Sequence, residues 1–277
     1  MGKGKLAKAL ARERSNAKEL KKKEEAARRK VEAEKQKRAK NQAMQKRPPL
    51  IPFKIDDKAL LVGEGDFSFA CSILKNNLIK KITATCLDTE AEVKEKYPNS
   101  APDNLSWLAE NGAEVLFEID GTKLHSTKPF NSELGTFDSI IFNFPHCGNS
   151  IKDQHRNILQ HQKLMVAFFE SARKLIKPRG GRIVVTLFEG EPYISWNIKK
   201  LAQTKALKTL ISNEFKWNAF PGYSHRLTAK EGNTSKPQAS RPSRIYIFSN
   251  KDDPTEWTSK RQPKTNVGTD SDSNDDL

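Results

Sequence analysis

The rhythm of apolar and polar positions changes near Phe53. Before it no apolar stripe can be drawn; after it, short apolar runs alternate with segments that are apolar at every third or fourth position. That is the pattern of strands alternating with helices. Ala59-Leu60-Leu61-Val62 is a continuous apolar run of the kind a parallel sheet covers on both faces, and it predicts a strand over 58–63. Further strands are predicted over 81–87, 113–119, 137–143, 182–188, 213–219 and 244–249. Helices are predicted near 67–79, over 89–97, from a cap at Asp103 to about Gly112, over 153–177 and near 194–211, with Pro98 and Pro102 breaking the chain. Met165, Phe168, Phe169, Ala172 and Leu175 mark the core side of the longest helix. The order implies an α/β fold, a doubly wound, mostly parallel sheet of about seven strands.

The chain has 277 residues and a formal charge of +15. This length suits one core domain with extensions. The charge is uneven. Residues 1–47 hold 18 Lys/Arg against six Asp/Glu, whereas 265–277 hold four Asp and no Lys or Arg. Residues 1–48 therefore read as a basic N-terminal arm, 49–264 as the folded domain and 265–277 as an acidic disordered tail. The arm is rich in helix formers but has no face to bury, so it is expected to be disordered, or helical on RNA. Lys21-Lys22-Lys23 and Arg28-Arg29-Lys30 are patches that nuclear import machinery reads or phosphates bind; the other reading is a solvated solubility arm. A basic arm on a basic core points to a polyanion partner, most simply nucleic acid. No apolar run reaches the length of a membrane span, and the first residues lack the apolar stretch of a signal peptide, so no membrane partner is expected. Cys71, Cys86 and Cys147 are an odd number without C-x-x-C spacing, which argues for a reducing compartment and against a cysteine zinc site. No metal is expected.

The candidate chemistry lies at predicted strand ends, which in a doubly wound sheet face one crevice. Gly63-Glu64-Gly65-Asp66-Phe67-Ser68 follows the first strand. It holds two glycines of the G-x-G-x-x-G pattern, with Ser68 in the third place and available to cap the next helix. Asp88 ends the second strand, where it accepts hydrogen bonds from a ribose or caps the following helix. Asp120 ends the third, within reach of an adenine amino group or engaged in a turn with Gly121. Asn143-Phe144-Pro145-His146 ends the fourth. It resembles the Asn/Asp-Pro-Pro-aromatic turn of amino-group methyltransferases, with Phe144 in place of the first proline and His146 in the aromatic slot. Asn143 can orient a substrate N–H, and neutral His146 can accept its proton or simply hold a loop carbonyl.

The set Gly63-Glu64-Gly65-Asp66-Phe67-Ser68-Phe69, Phe137 to His146, and Phe220-Pro221-Gly222-Tyr223-Ser224-His225-Arg226 resembles the Rossmann-like methyltransferase domain of the fungal large-subunit (25S) ribosomal RNA uridine-N3 methyltransferase family. The likeness covers most of 57–250, and Leu187, Gly190, Pro192, Tyr193 and Trp196 also fit it. The resemblance implies an S-adenosylmethionine-dependent enzyme acting in the nucleolus on a uridine of large-subunit rRNA, free or in a pre-ribosomal particle; a monomer is expected. By position and chemistry, Asn143 and His146 are the candidates for catalysis. Gly63, Gly65, Asp66, Phe67, Ser68, Asp88, Asp120 and Phe144 fall to the cofactor. Pro145, Tyr193, Trp196, Tyr223, His225 and Arg226 fall to the substrate. Phe144, Tyr193 and Trp196 are stacking rings or packing residues, Arg226 is a phosphate contact, and His225 meets base or phosphate or is structural. Three other functions fit parts of the pattern: pyrimidine C5 methylation through a Cys147 adduct, a nicotinamide oxidoreductase, and a non-catalytic ribosome-assembly factor on the same fold.

Overall fold

A computed structural model describes residues 49–148, 153–226 and 241–255, together with seven positions between Glu25 and Lys35. Two units divide at Pro48/Pro49. In the first, the described residues are helical, and Arg29 pairs with Glu25 one turn away at 3.0 Å. The rest of the arm and the acidic tail lie outside the described residues.

In the second unit the chain runs β1 (Lys58–Val62), α1 (Ser68–Lys75), β2 (Lys81–Thr85), α2 (Glu90–Lys96), α3 (Ala101–Glu110), β3 (Glu114–Leu116), β4 (Ser139–Asn143), α4 (Gln154–Leu175), β5 (Arg182–Phe188), α5 (Ile198–Thr204), β6 (Leu207–Glu214) and β7 (Ser243–Asn250). The strands form one seven-stranded sheet in the order β3-β2-β1-β4-β5-β7-β6. The first five run parallel, and β7 lies antiparallel between β5 and β6. The chain works outward from β1 to β3 and then returns to β4 on the other side of β1. This puts the topological switch, where open α/β sheets bind ligands, between the ends of β1 and β4.

The strand period of two divides the apolar side chains between two cores. Leu61, Ile141 and Val184 face one core with Phe69, Ile73, Val93 and Leu108 of α1–α3. Leu60, Val62, Ile140, Ile183 and Val185 face the other with Met165, Phe168 and Leu175 of α4. Both faces of the central strands are thus covered, which is why they read as unbroken apolar runs.

Three expectations are corrected. The chain over 194–211 is not one helix, nor is 213–219 a strand. A 3-10 turn (Ile194–Trp196) leads to α5, which stops at Thr204; Leu207–Glu214 is the strand, and Trp217–Ala219 is another 3-10 turn. Ala206, at φ 54°, ends the helix, and pairing from Leu207↔Asn250 to Glu214↔Arg244 holds the next residues extended. Helical spacing there yielded to a partner strand distant in sequence. Helix α3 begins before Pro102, because proline is tolerated in the first turn, where its missing N–H costs no bond. Ser68 does not cap α1. Phe67 holds the N-cap position at φ 60°, with no side-chain cap, and Ser68 is the first helical residue.

At the opposite end of the sheet from the switch, Arg182 (6% exposed) pairs with Asp57 (5% exposed), whose carboxylate also accepts from the Ser139 hydroxyl and the Lys54 N–H. Removing one member of a buried pair leaves the other charged and poorly solvated. Asp57→Ala is therefore expected to lower stability by about 3–5 kcal/mol, read from urea denaturation; a loss below about 1 kcal/mol would show that the pair behaves like a surface ion pair.

Candidate active site

The ends of β1, β2 and β4 and the segment before β7 enclose a crevice at the switch point. It is lined by Gly63, Gly65, Asp66, Ser68, Asp88, Asp120, Asn143, Phe144, His146, Tyr223, His225 and Arg226, all anticipated from sequence, and by Glu64, Leu87 and Tyr97, which were not.

Gly63 turns the chain at φ +69°, and a Cβ there would come within 2.6 Å of the Phe142 ring, so the position admits no side chain. The turn then folds its own carboxylates onto the start of α1. Asp66 accepts from the Ser68 N–H (3.1 Å), and Glu64 accepts from the Ala70 N–H (3.3 Å). The Ser68 hydroxyl is bonded in both directions to the Ser224 backbone. A helix N-terminus ordinarily attracts phosphate. Here two carboxylates and the 220–226 segment already occupy it, which disfavours the pyrophosphate of a nicotinamide cofactor.

Asp66 is 2% exposed, and its lone pairs are engaged by the Ser68 N–H, the Ser100 hydroxyl (2.9 Å) and Arg226 Nε (2.7 Å). Its carbonyl accepts from Asn104 Nδ2. Asp66 therefore ties turn, α3 and the 220–226 segment together, and it anchors Arg226, which was expected to meet phosphate.

Asp88 is not a cap, since Thr89 caps α2 in a reciprocal box with Glu92. Its carboxylate faces the crevice and Lys96 at 2.7 Å. Asp120 combines both readings: Oδ1 accepts from the Thr122 N–H and hydroxyl, in turn chemistry, while the residue lines the crevice. Leu87 is 65% exposed at the wall, an apolar surface for a ring.

At the end of β4, Asn143 Oδ1 accepts from the Thr186 hydroxyl (2.7 Å), and its buried Nδ2 has no partner among the described residues. His146 Nδ1 accepts from the Gly148 N–H (3.0 Å). Partial desolvation and the neighbouring His161 hold His146 below the usual imidazole range. Its free lone pair is thus already in use, which counts against the proton-acceptor role. His225 is pushed down to about 4 by burial, with Arg241 and His146 adding to it, so it is neutral.

Four anticipated residues do not reach the crevice wall. Phe67 is fully buried, edge-on to Phe117. Pro145 is buried behind the turn. Tyr193 packs on Phe188 and Trp196. Trp196, 1% exposed, stacks on His161 at 4.4 Å. That ring takes the Cys147 N–H on Nε2 and sits 4.9 Å from His146, so Trp196 supports the loop from behind. Phe144 lines the crevice, but its ring packs on Phe188, Phe215 and Trp217. The Cys147 thiol is pushed up by burial and stands outside the crevice, which disfavours a thiolate adduct.

Glu64 stands between the two glycines of the turn, and a glutamate there gives no sequence signal that its carboxyl will be desolvated. Thr186 has no local signal: only the register Asn143↔Thr186 brings it to the site.

A family described as rRNA (uridine-N3-)-methyltransferase BTM5-like matches residues 60–227, from β1 through the last described residue of the crevice wall. The chain belongs to this family. It is 35% identical over 285 residues to the 25S rRNA (uridine(2634)-N(3))-methyltransferase of Saccharomyces cerevisiae, covering 84% of this chain and 84% of that one. An uncharacterized Arabidopsis thaliana protein is 37% identical over 171 residues, 60% of this chain and 79% of that one. Among solved structures, a TehB-like SAM-dependent methyltransferase from Corynebacterium glutamicum aligns with a TM-score of 0.41 at 13% identity, covering 72% of this chain and 82% of that one.

Desolvation, with Asp66 adding to it, pushes Glu64 up from 4.5 to about 8. The folded state therefore holds a proton that the unfolded state releases across that window, and stability falls as pH rises through it. Thermal unfolding from pH 5 to 8 is expected to show this slope, at most about 1.4 kcal/mol per pH unit from this group, and Glu64→Gln is expected to flatten it. A slope unchanged in the variant would place its source elsewhere.

Proposed function

We propose that this chain is an S-adenosylmethionine-dependent methyltransferase that methylates N3 of a uridine in large-subunit ribosomal RNA during ribosome biogenesis. Family membership supports the reaction class. The observation that carries the cofactor is the glycine turn with its helix start filled by Asp66 and Glu64. The filled helix start disfavours pyrophosphate, and the Asp88 and Asp120 carboxylates that line the crevice suit a ligand with ammonium and sulfonium charges. The residues fit: Gly63–Gly65 leave backbone open to the ligand, Asp88 accepts from ribose hydroxyls, and Leu87 and Asp120 border a place for the adenine. When bound, S-adenosylmethionine supplies a methyl group on a cationic sulfur.

The chain's own part is to bring the base to that place. N3 lies on the Watson–Crick edge, so the uridine must be unpaired or flipped, at a cost of about a few kcal/mol. Asn143 and His146 then orient it, and catalysis is mainly positioning. The basic arm adds phosphate contacts that carry no sequence information, and with its clustered lysines and arginines it suits import to the nucleus and retention in the nucleolus.

Calorimetric titration with S-adenosylhomocysteine is expected to show micromolar binding, about −8 kcal/mol, that falls at least about tenfold in Asp88→Ala. Expression in yeast lacking the 35%-identical relative is expected to restore 3-methyluridine in 25S rRNA. Binding without restored methylation would point to the non-catalytic assembly factor. Deleting residues 1–47 should weaken RNA binding and flatten its dependence on salt, as measured by fluorescence anisotropy across a salt series; an unchanged slope would remove RNA from the arm's partners.

A further inference from the structure

Both polar side chains at the end of β4 are turned the same way. The Asn143 carbonyl oxygen is taken by the Thr186 hydroxyl at 2.7 Å, which leaves the amide N–H groups for the ligand, and Nδ2 is buried without a partner among the described residues. Thr186 is fully buried in β5 and lies opposite Asn143 in register, so the sheet itself holds the hydroxyl in place. His146 takes the Gly148 N–H on Nδ1, so the neutral ring carries its proton on Nε2. Its ring is held by the His161–Trp196 stack behind it. Both residues line the crevice, and what they offer it are donors.

This is the opposite polarity from a site built for an amino group. There a carbonyl receives the N–H of the substrate nitrogen. Uridine presents carbonyl oxygens at O2 and O4 on either side of N3, whereas cytidine replaces O4 with an amino donor. A donor facing a donor leaves two polar groups unpaired in a partly buried site, and such mismatches give large discrimination.

Resting on the function proposed above, we propose that Asn143 and His146 donate hydrogen bonds to the carbonyl oxygens beside N3, and that Thr186, by holding the Asn143 amide one way round, makes the site accept uridine and reject cytidine. The same donors stabilise the charge that spreads onto O2 and O4 when N3 loses its proton to water and keeps the electron pair; that pair forms the new N–C bond as the methyl–sulfur bond of the sulfonium donor breaks, its pair leaving on sulfur as a neutral thioether. His146 thus acts as a donor rather than as the base, in keeping with its occupied Nδ1.

The test uses the full chain with 25S rRNA from yeast lacking the relative, and with transcripts carrying uridine or cytidine at the modified position. Nucleoside mass spectrometry reads 3-methyluridine and 3-methylcytidine, and S-adenosylhomocysteine affinity within about twofold of wild type reports an intact cofactor crevice. Wild type is expected to prefer uridine by at least about 100-fold. Asn143→Asp, which replaces the donor with an acceptor, is expected to lose that preference. Thr186→Val should reduce it at least about tenfold, and Thr186→Ser, which keeps the hydroxyl, should restore it. His146→Gln keeps an N–H but no basic nitrogen, and it should exceed the rate of His146→Ala by at least about tenfold. Discrimination unchanged in both Asn143→Asp and Thr186→Val, or Gln no better than Ala at 146, would overturn the assignment. Wild type that binds S-adenosylhomocysteine yet makes no 3-methyluridine on either RNA would overturn the underlying function instead.

Discussion

The site is organised by one buried carboxylate. Asp66 binds the first N–H of α1, the Ser100 hydroxyl at the start of α3 and the Arg226 guanidinium. A carboxylate out of water is tolerable only when its lone pairs are filled, so each of these three contacts depends on the others. Together they join the glycine turn, a helix from the other side of β2 and a segment close to β7. Loss of the carboxylate would remove the contact that all three share at the crevice wall. The Ser68–Ser224 pair and the Asn76–Pro221 contact repeat the attachment alongside.

Polarity is the second theme of the crevice. Asp88 and Asp120 bring carboxylates to the β2 and β3 ends, while the β4 end presents N–H groups. A cationic ligand at the first and an acceptor-rich base at the second would each meet its complement. The aromatic residues around Phe144 do not line up as free stacking platforms. Phe144, Phe188, Phe215 and Trp217 pack mainly on one another, and this fixes the left-handed turn at Phe144 (φ 48°) that aims Asn143.

Much of this was legible in the chain. The alternation of apolar runs placed six of the seven strands to within a few residues, and the central ones most clearly, because strands buried on both faces leave an unmistakable composition. The glycine turn, Asp88, Asp120 and Asn143 were found as strand-end residues, since the doubly wound topology sends every such end to one edge. The errors came where local signals were silent or contradictory. Trp196 looks like a stacking ring in sequence, yet it lies under the surface because α4 supplies His161 to cover it. β6 reads as helix because its pattern is weak, and only β7 beside it makes it extended.

Sequence alone determined the α/β class, the position of the ligand-binding edge and the residue types gathered there. These follow from periodicity and glycine placement, properties local to each segment. Tertiary structure alone decided the direction of the hydrogen bonds. Whether Asn143 offers its carbonyl or its amide depends on a threonine 43 residues away, and whether Arg226 is a phosphate ligand or a strut depends on Asp66, 160 residues away. A side chain's donor or acceptor character toward a ligand is what remains after its protein partners are satisfied, and those partners are set by packing between segments that no local pattern connects.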